Sequence, residues 1–283
     1  MRHTIALALP CAAAAAAALA LPHAARAQEA MYTEAATMPS PGVFLLRNQY
    51  HYSVYGSSPV DGSTATETHE FLTTLQFGVA NDLAVRVDVP VALETEEFPT
   101  GDDYDKGVED IDLMLKWRFL RNDTGGVDTI RAALLAGAGV ASGDDSDFSS
   151  QSVNPLLGAV FTKVWGRLGV NQDIIYRWNT GGERDANLGG EGPDDAFMHN
   201  SALVYRIIPD QYTSETTGAW YLTAELNGLY ETNGDYELRW APGLMYEGRR
   251  FGFEIMAQLP LWHDLDERPE LDFRVGIGFR FLF

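Results

Sequence analysis

The chain has 283 residues with 40 acidic and 20 basic side chains, a formal net charge of −20. So acidic a surface repels nucleic acid, and we expect no nucleic-acid partner. Cys11 is the only cysteine and lies in the apolar N-terminal stretch, which excludes disulfides and thiolate metal sites from the rest of the chain.

Residues 1–27 have the pattern of a cleaved export signal. Arg2 gives a positive start, an apolar run extends from Ile5 to Leu21, and Ala25-Arg26-Ala27 is a small-x-small cleavage site. The run is too short and too rich in alanine for a membrane-spanning helix. Residues 28–41 follow as a polar stretch with two prolines, and we expect a short periplasmic lead, too short to plug a barrel lumen.

Apolar and polar residues alternate in segments throughout 42–283. The clearest segment is Leu83–Glu94, and Asp110–Phe119 repeats the pattern with apolar residues at every second position. A period of two predicts strands with one face apolar and the other polar. Val153–Trp165 is ambiguous, because apolar residues occupy both of its faces. Further segments begin near Val43, Glu70, Thr129, Leu168, Phe197, Ala219, Tyr236 and Phe251.

The last segment, Leu271–Phe283, alternates most strictly and ends the sequence on an aromatic residue. It resembles the terminal strand of bacterial outer-membrane β-barrels, in which such a residue is the assembly signal. Phe283 is then the expected contact with the barrel-assembly machinery. The alternative from this strand alone is an ordinary antiparallel strand at a domain end.

The connections between segments alternate in length. Most are short and long in turn, but Pro209–Gly218 is long where a short turn is expected and Thr232–Asp235 is short where a long loop is expected. Short periplasmic turns and long outer loops are typical of outer-membrane barrels. The prediction is therefore an all-β, transmembrane, antiparallel up-and-down barrel of about twelve strands over 42–283, in the bacterial outer membrane with both ends periplasmic.

The two faces of the predicted strands differ in chemistry. The outward face carries aromatic residues near the segment ends, such as Trp117, Trp178 and Trp240, as expected for contacts with outer-membrane lipids and lipopolysaccharide. The inward face interleaves basic and acidic residues, which need partners or water. The lumen candidates are Arg47, Arg86, Asp88, Asp112, Lys116, Arg118, Arg131, Asp173, Arg177, Arg206, Glu225, Glu237, Arg239, Glu254, Asp272, Arg274 and Arg280. This pattern permits either a narrow hydrated pore or a lumen closed by salt bridges.

The long connections are acidic. Gly143-Asp144-Asp145-Ser146-Asp147 has closely spaced oxygen ligands but lacks the twelve-residue EF-hand pattern. A solvated acidic loop is the favoured interpretation, and we expect no resident metal or cofactor.

Residues 107–119, with the sequence GVEDIDLMLKWRF, resemble a strand motif of the outer-membrane family named for the meta-pathway of phenol degradation. Ser142–Asp145, Asn154–Asn179 with its tight turn at Trp165–Gly169, and Val275–Phe283 extend the resemblance. It implies a barrel through which small, often hydrophobic or aromatic, compounds pass passively.

An alternative is a barrel enzyme, and another is an occluded structural barrel. His199 and Ser201 share one face of a predicted strand, a spacing similar to that in outer-membrane phospholipase A, where an Asn on the next strand completes the site. Asn227 on the next segment is predicted to face inward. The set of nucleophile, base and orienting group is thus incomplete, and we expect no catalysis.

Overall fold

A computed structural model describes residues 28–144, 148–181, 190 and 192–283. The predicted export signal lies outside the described residues. The strands are β1 (Phe44–Tyr55), β2 (Ala65–Ala80), β3 (Leu83–Glu97), β4 (Asp103–Val108), β5 (Ile111–Thr124), β6 (Asp128–Val140), β7 (Asn154–Trp165), β8 (Leu168–Arg177), β9 (Ala196–Ile208), β10 (Gly218–Glu231), β11 (Tyr236–Gly248), β12 (Phe251–Asp264) and β13 (Leu271–Leu282). None of the described residues forms a helix long and apolar enough to cross a membrane.

Strands β4 and β5 are two parts of one spanning strand. β3 pairs with β5 along Leu83–Asp88 and with β4 along Val91–Glu96. Between these two stretches the β4–β5 side has one residue more than β3, which is a β-bulge around Glu109 and Asp110. The 13 strands therefore make 12 spanning strands, as the sequence predicts.

The sheet closes on itself. β1 pairs antiparallel with β2 on one side and with β13 on the other, from Leu45 opposite Leu282 to Tyr55 opposite Leu271. Each remaining spanning strand pairs antiparallel with its neighbours in the sequence. The predicted antiparallel up-and-down barrel is confirmed.

Phe44 and Phe283 meet at one end of the barrel, where their backbones exchange hydrogen bonds of 2.8 and 3.0 Å. We call this the turn end, because short turns such as Asn81-Asp82 and Gly166-Arg167 lie there. The opposite end carries the longer connections and is called the loop end. At the loop end, β2, β3 and β4 stay hydrogen-bonded to one another as far as Ala65, Glu97 and Asp103.

The outer face of the barrel is apolar along each strand. On β13 the outward residues Phe273, Val275, Ile277, Phe279 and Phe281 are each 37–41% exposed, whereas Gly276, Gly278 and Arg280 between them are buried. An exposed apolar band around a closed barrel is the surface that a lipid bilayer covers.

The ambiguous strand β7 has apolar residues on both faces for a structural reason. Leu157 and Phe161 face outward, 52% and 37% exposed. Val160 faces inward and packs in a buried cluster with Ala133, Leu135 and Ala36, a residue that precedes the barrel. The lumen wall is thus apolar where another part of the chain covers it.

Phe71 and Leu72 on β2 provide a test of the two faces. Phe71 is outward and 48% exposed, whereas Leu72 is inward and half-buried. We expect Phe71→Arg to lower the free energy of unfolding by about 2–4 kcal/mol, the cost of a charge in lipid, and Leu72→Arg to lower it less. Denaturant titration of both variants refolded into bilayers measures this difference. Equal losses would contradict the assignment of faces.

Candidate functional site: a lumen occupied by the N-terminal segment

Residues 28–37, which we call the lumen segment, run inside the barrel. Ala30, Ala35 and Ala36 are at most 1% exposed, and Thr33 is also 1% exposed. The expectation that residues 28–41 are too short to plug a lumen is therefore wrong. Ten extended residues reach about 33 Å, and small side chains let such a segment pass between the wall side chains.

The chain enters the lumen at the turn end. Gly42 donates a backbone hydrogen bond of 2.8 Å to the Gly78 carbonyl on β2. A Cβ on Gly78 would lie 2.2 Å from the Ser40 carbonyl oxygen, so only glycine allows this close approach. This contact orients the chain so that the residues before it, including the lumen segment, run into the barrel.

Glu225 on β10 is the main acceptor for the backbone of the lumen segment. Its carboxylate, 0% exposed, accepts hydrogen bonds from the N–H groups of Met31 at 3.0 Å and Thr33 at 2.6 Å. The Tyr32 N–H also points at it, at 3.2 Å, and the Thr33 hydroxyl donates at 2.6 Å. A buried carboxylate and buried N–H groups each need a partner, and here they satisfy one another.

Glu34 ties the segment to the opposite part of the wall. Its carboxylate accepts a hydrogen bond of 2.7 Å from Arg86 on β3 and a short one from Lys116 on β5. Its N–H donates to Asp173 on β8 at 2.7 Å. β3 and β5 are neighbours, and β8 lies three strands beyond β5, so one glutamate connects two separate parts of the wall.

Arginine residues hold the beginning of the segment. Arg47 on β1 donates to the Ala30 carbonyl at 2.9 Å, and Arg280 on β13 donates to the Glu29 carbonyl at 3.0 Å. Both guanidinium groups also pair with Glu254 on β12, at 2.8 and 3.1 Å. The wall ion pairs and the segment contacts therefore form one network.

The long turn-end connection after β9 packs beneath this network. Tyr212 stacks under the Arg206 guanidinium at 4.2 Å and its hydroxyl bonds to that of Tyr221, which is 0% exposed. Tyr212 packs against the buried cluster that contains Ala30. This explains why Pro209–Gly218 is long where the alternation predicts a short turn.

Most of the predicted lumen residues are buried on the inner face of the barrel wall. Arg86, Asp112 and Arg274 are half-buried, and Asp272 is exposed at the loop end. Buried are Arg47, Asp88, Lys116, Arg118, Arg131, Asp173, Arg177, Arg206, Glu225, Glu237, Arg239, Glu254 and Arg280. Arg118 and Arg131 lie at the turn end and pair with Asp82 and Asp123 rather than with the lumen segment.

Sequence reasoning missed the partners that the lumen segment supplies. Glu29, Tyr32, Thr33 and Glu34 lie in a stretch without periodicity, and no local pattern shows that they enter the barrel. A usable signal was Glu225, a carboxylate in the middle of a strand without a basic residue opposite it.

The loop end has its own buried ion pairs. Arg268, 2% exposed, donates to Glu231 at 2.6 Å and to Glu237 at 2.8 Å. Asp235 accepts from the N–H groups of Asp266 and Glu267 at 2.7 and 3.2 Å. The short connection Thr232–Asp235 is thus an anchor for the following loop.

Asp110, at the bulge between β4 and β5, anchors another loop. It accepts hydrogen bonds from Ser150 at 2.6 Å and from the Gly143 N–H at 3.1 Å. Partial burial alone would raise the pKa of Asp110, but these hydrogen bonds outweigh it and hold the pKa below its ordinary value.

Some charged side chains inside the barrel are partly accessible to solvent. The side chain of Glu70 is 27% exposed, that of Arg86 20% and that of Asp112 17%, although all three face inward. Pairing and access to water both stabilise charged side chains in a barrel wall. The inner face of the barrel thus has some solvent-accessible charge, although the lumen segment is closely packed against it.

His199 and Ser201 face outward on β9, and each lies within hydrogen-bond distance of a polar side chain on another strand. His199 Nε2 lies 3.1 Å from the Tyr236 hydroxyl, and Ser201 accepts a hydrogen bond of 3.3 Å from Gln172. Asn227 faces inward and bonds to Asn200 and Gln258. The arrangement differs from the His, Ser and Asn set that the phospholipase resemblance would require.

The candidate calcium loop, Gly143–Asp147, lies partly outside the described residues. Among the residues that the structure describes, no group of three or more His, Cys, Asp or Glu is placed to hold a metal ion.

Solved structures of outer-membrane proteins resemble this chain. The chain is similar to an outer-membrane channel from Pseudomonas putida F1, with a TM-score of 0.60 and 13% identity over 90% of this chain and 100% of that chain. This chain therefore has the fold of an outer-membrane β-barrel. It is also similar to the β domain of the Bordetella autotransporter BrkA, with a TM-score of 0.51 and 9% identity over 86% of this chain and 100% of that chain. No known protein-family profile and no curated protein matches the sequence.

Glu225→Gln tests how the lumen segment is held. The amide nitrogen would point a donor at the N–H donors of the segment and remove the charge. Hydrogen bonds to charged groups contribute about 1.5–3 kcal/mol, so we expect amide exchange in residues 29–36 to become roughly ten- to a hundredfold faster. Hydrogen exchange followed by mass spectrometry measures this rate.

Glu237→Gln is the matched control, because Glu237 is equally buried but binds Arg239 and Arg268 instead. It should destabilise the loop end and leave exchange in the lumen segment unchanged. Unchanged exchange in Glu225→Gln would show that this carboxylate does not anchor the segment.

Proposed function

We propose that this protein is a narrow channel of the bacterial outer membrane through which small molecules pass without catalysis, and that the lumen segment is its movable constriction. The observation that carries this proposal is the lumen itself, where partly solvent-accessible charged side chains of the wall surround a segment held by hydrogen bonds and packing. The fold, shared with an outer-membrane channel of known structure, supports the same function.

A barrel with only a structural role would not need so many paired charges in its interior. Buried ion pairs such as Arg47 with Glu254 are often no better for stability than well-packed apolar residues of similar volume. A wall with this many paired charges suits a lumen that water and polar solutes enter when the segment is displaced.

The lumen segment is suited to displacement. It belongs to no β-strand of the structure, and the barrel begins only at Phe44. Its attachments are hydrogen bonds to a few carboxylate, guanidinium and hydroxyl groups, together with apolar packing. Because the segment has no ladder of strand hydrogen bonds, we expect it to open at a lower free energy than the paired strands around it.

The turn end faces the periplasm in this proposal, and the acidic loop end faces outward, next to lipopolysaccharide. Outer-membrane lipids cover the apolar band. Phe283, 64% exposed at the turn end, is available there to the barrel-assembly machinery.

The permeants we propose are small and include hydrophobic or aromatic compounds, as the resemblance to the phenol meta-pathway family implies. Inward-facing apolar side chains support this, because Leu72, Met114, Met198 and Leu229 are half-buried on the lumen side of the wall. Apolar side chains beside hydrated charges offer an amphipathic path to such compounds.

Liposome swelling tests the channel. Liposomes containing the full chain should swell in an isotonic solution of a small uncharged sugar faster than empty liposomes. The double variant Glu34→Gln/Glu225→Gln weakens two attachments of the segment and should raise the swelling rate, on the order of tenfold if the open state is a minor population.

The control Glu237→Gln should swell at the wild-type rate. No swelling above that of empty liposomes, in either the wild type or the double variant, would contradict a channel. Equal swelling in wild type and double variant would leave a channel but contradict the role of the segment.

A further inference from the structure

Lys163 is a basic residue on the outer, apolar side of the barrel wall. It is exposed on β7, between the outward residues Phe161 and Trp165, which are 37% and 42% exposed. Its neighbours along the strand, Thr162 and Val164, face inward and are buried. In the half of the barrel nearer the turn end, Lys163 is the one basic side chain at an outward position of a strand.

The residues beside Lys163 on the adjacent strands are apolar. Ile130 on β6 and Val170 on β8 lie opposite it in the strand pairing. An ammonium group among such side chains is costly deep in a bilayer but tolerated close to its surface. A lysine on this face therefore extends along the apolar wall until its charge reaches the headgroups.

The direction of the side chain agrees with this expectation. Trp165 is the last residue of β7, and the tight turn Gly166-Arg167 at the turn end follows it. Lys163 Nζ lies 5.4 Å from the centroid of the Trp165 ring, so the ammonium group is directed towards the turn end. Outward aromatic residues at strand ends mark the membrane–water interface of such barrels. The charge thus lies at the depth of the lipid headgroups.

No carboxylate of the described residues pairs with Lys163. Asp128, at the start of β6 on the same rim, accepts the Gly166 N–H at 2.7 Å. Arg167, a second cation on this rim, already pairs with Asp210 at 2.6 Å. The described part of the chain therefore leaves the Lys163 charge without a counter-ion at a depth where the membrane itself offers phosphate groups.

We infer that Lys163 and Trp165 bind the phosphate group of a membrane phospholipid. The ammonium group of Lys163 supplies the charge, and the indole N–H of Trp165, which donates to no described acceptor, supplies a second hydrogen bond. The acyl chains of the same lipid lie over Phe161 and Leu157, which continue the outward face of β7 and are 37% and 52% exposed. From the turn end inward, β7 thus presents first a cation and then apolar side chains, the order in which a phospholipid presents phosphate and chains.

The leaflet follows from the orientation of the barrel. The proposed function places the turn end at the periplasmic side, so the lipid belongs to the inner leaflet, and lipopolysaccharide lies at the opposite, acidic end. The choice of leaflet rests on that proposal. Binding of a phosphate-bearing lipid does not, because Lys163 faces away from the lumen.

Native mass spectrometry of the refolded full chain tests the site. The protein is released from detergent micelles that contain phosphatidylglycerol, a lipid whose phosphate has no compensating ammonium group. We expect a saturable first bound lipid in the wild type and about fivefold weaker binding in Lys163→Gln, since one contact between a basic residue and the phosphate is lost. Lys163→Arg should bind as the wild type does, because it keeps the charge.

Arg249→Gln is the matched control, because it removes a positive charge from the same end of the barrel. Arg249 lies in the connection between β11 and β12 and donates to the Ser214 carbonyl at 3.1 Å. Its variant should bind phosphatidylglycerol as the wild type does.

Three results would overturn the inference. The first is equal binding of phosphatidylglycerol by Lys163→Gln and the wild type. The second is equally strong binding of diacylglycerol, which has the chains but no phosphate. The third is preferential binding of lipid A at Lys163, which would assign the site to the lipid of the outer leaflet.

Liposome swelling with the same variants separates the lipid site from the channel. Lys163→Gln should swell at the wild-type rate, because the residue lies outside the lumen. Swelling in the wild type without Lys163-dependent lipid binding would refute the lipid site and leave the channel. Lys163-dependent lipid binding without any swelling would refute the channel and leave the lipid site.

Discussion

A bilayer core contains no water to satisfy backbone N–H and C=O groups, and this constraint governs the whole molecule. Twelve spanning strands meet it by pairing on both sides, and the contact of β1 with β13 closes the ring. Closure of the barrel then determines which face carries the polar side chains. Those that face outward meet lipid, so charges at membrane depth collect on the inner face.

The inner face raises a second problem, which the lumen segment and the wall solve together. Glu225 is fully buried on β10, opposite Ala202 and Ala241, while the backbone of residues 31–33 has N–H groups without strand partners. Each would be costly alone, and their hydrogen bonds satisfy both. Glu34 does the same for Lys116 and Arg86. The segment and the wall are thus complementary in charge and in hydrogen bonding.

The strands could be predicted from the sequence because alternation is a local signal. Leu83–Glu94 and Leu271–Phe283 show it directly, and both are strands with the expected faces. The lumen segment could not be predicted, because nothing in the local pattern of residues 28–37 distinguishes a buried strand-like segment from a solvated lead. Its partners are as many as 251 positions away in the sequence, as between Glu29 and Arg280. The long turn of Pro209–Gly218 was visible as an exception, but its reason, the packing of Tyr212 beneath the lumen, depends on the same distant contacts.

A tether between the segment and the wall tests the central claim most directly. Met31 and Met256 pack in one buried cluster, and residues 28–283 contain no cysteine, so Met31→Cys/Met256→Cys introduces a single pair of thiols. Single-channel conductance in a planar bilayer would be recorded with the pair oxidised and then reduced, with Met31→Cys alone as control. A movable lumen segment predicts a closed or small, steady conductance when the pair is oxidised, and larger openings after reduction. The same conductance in both redox states, with the disulfide shown to form, would contradict a movable constriction.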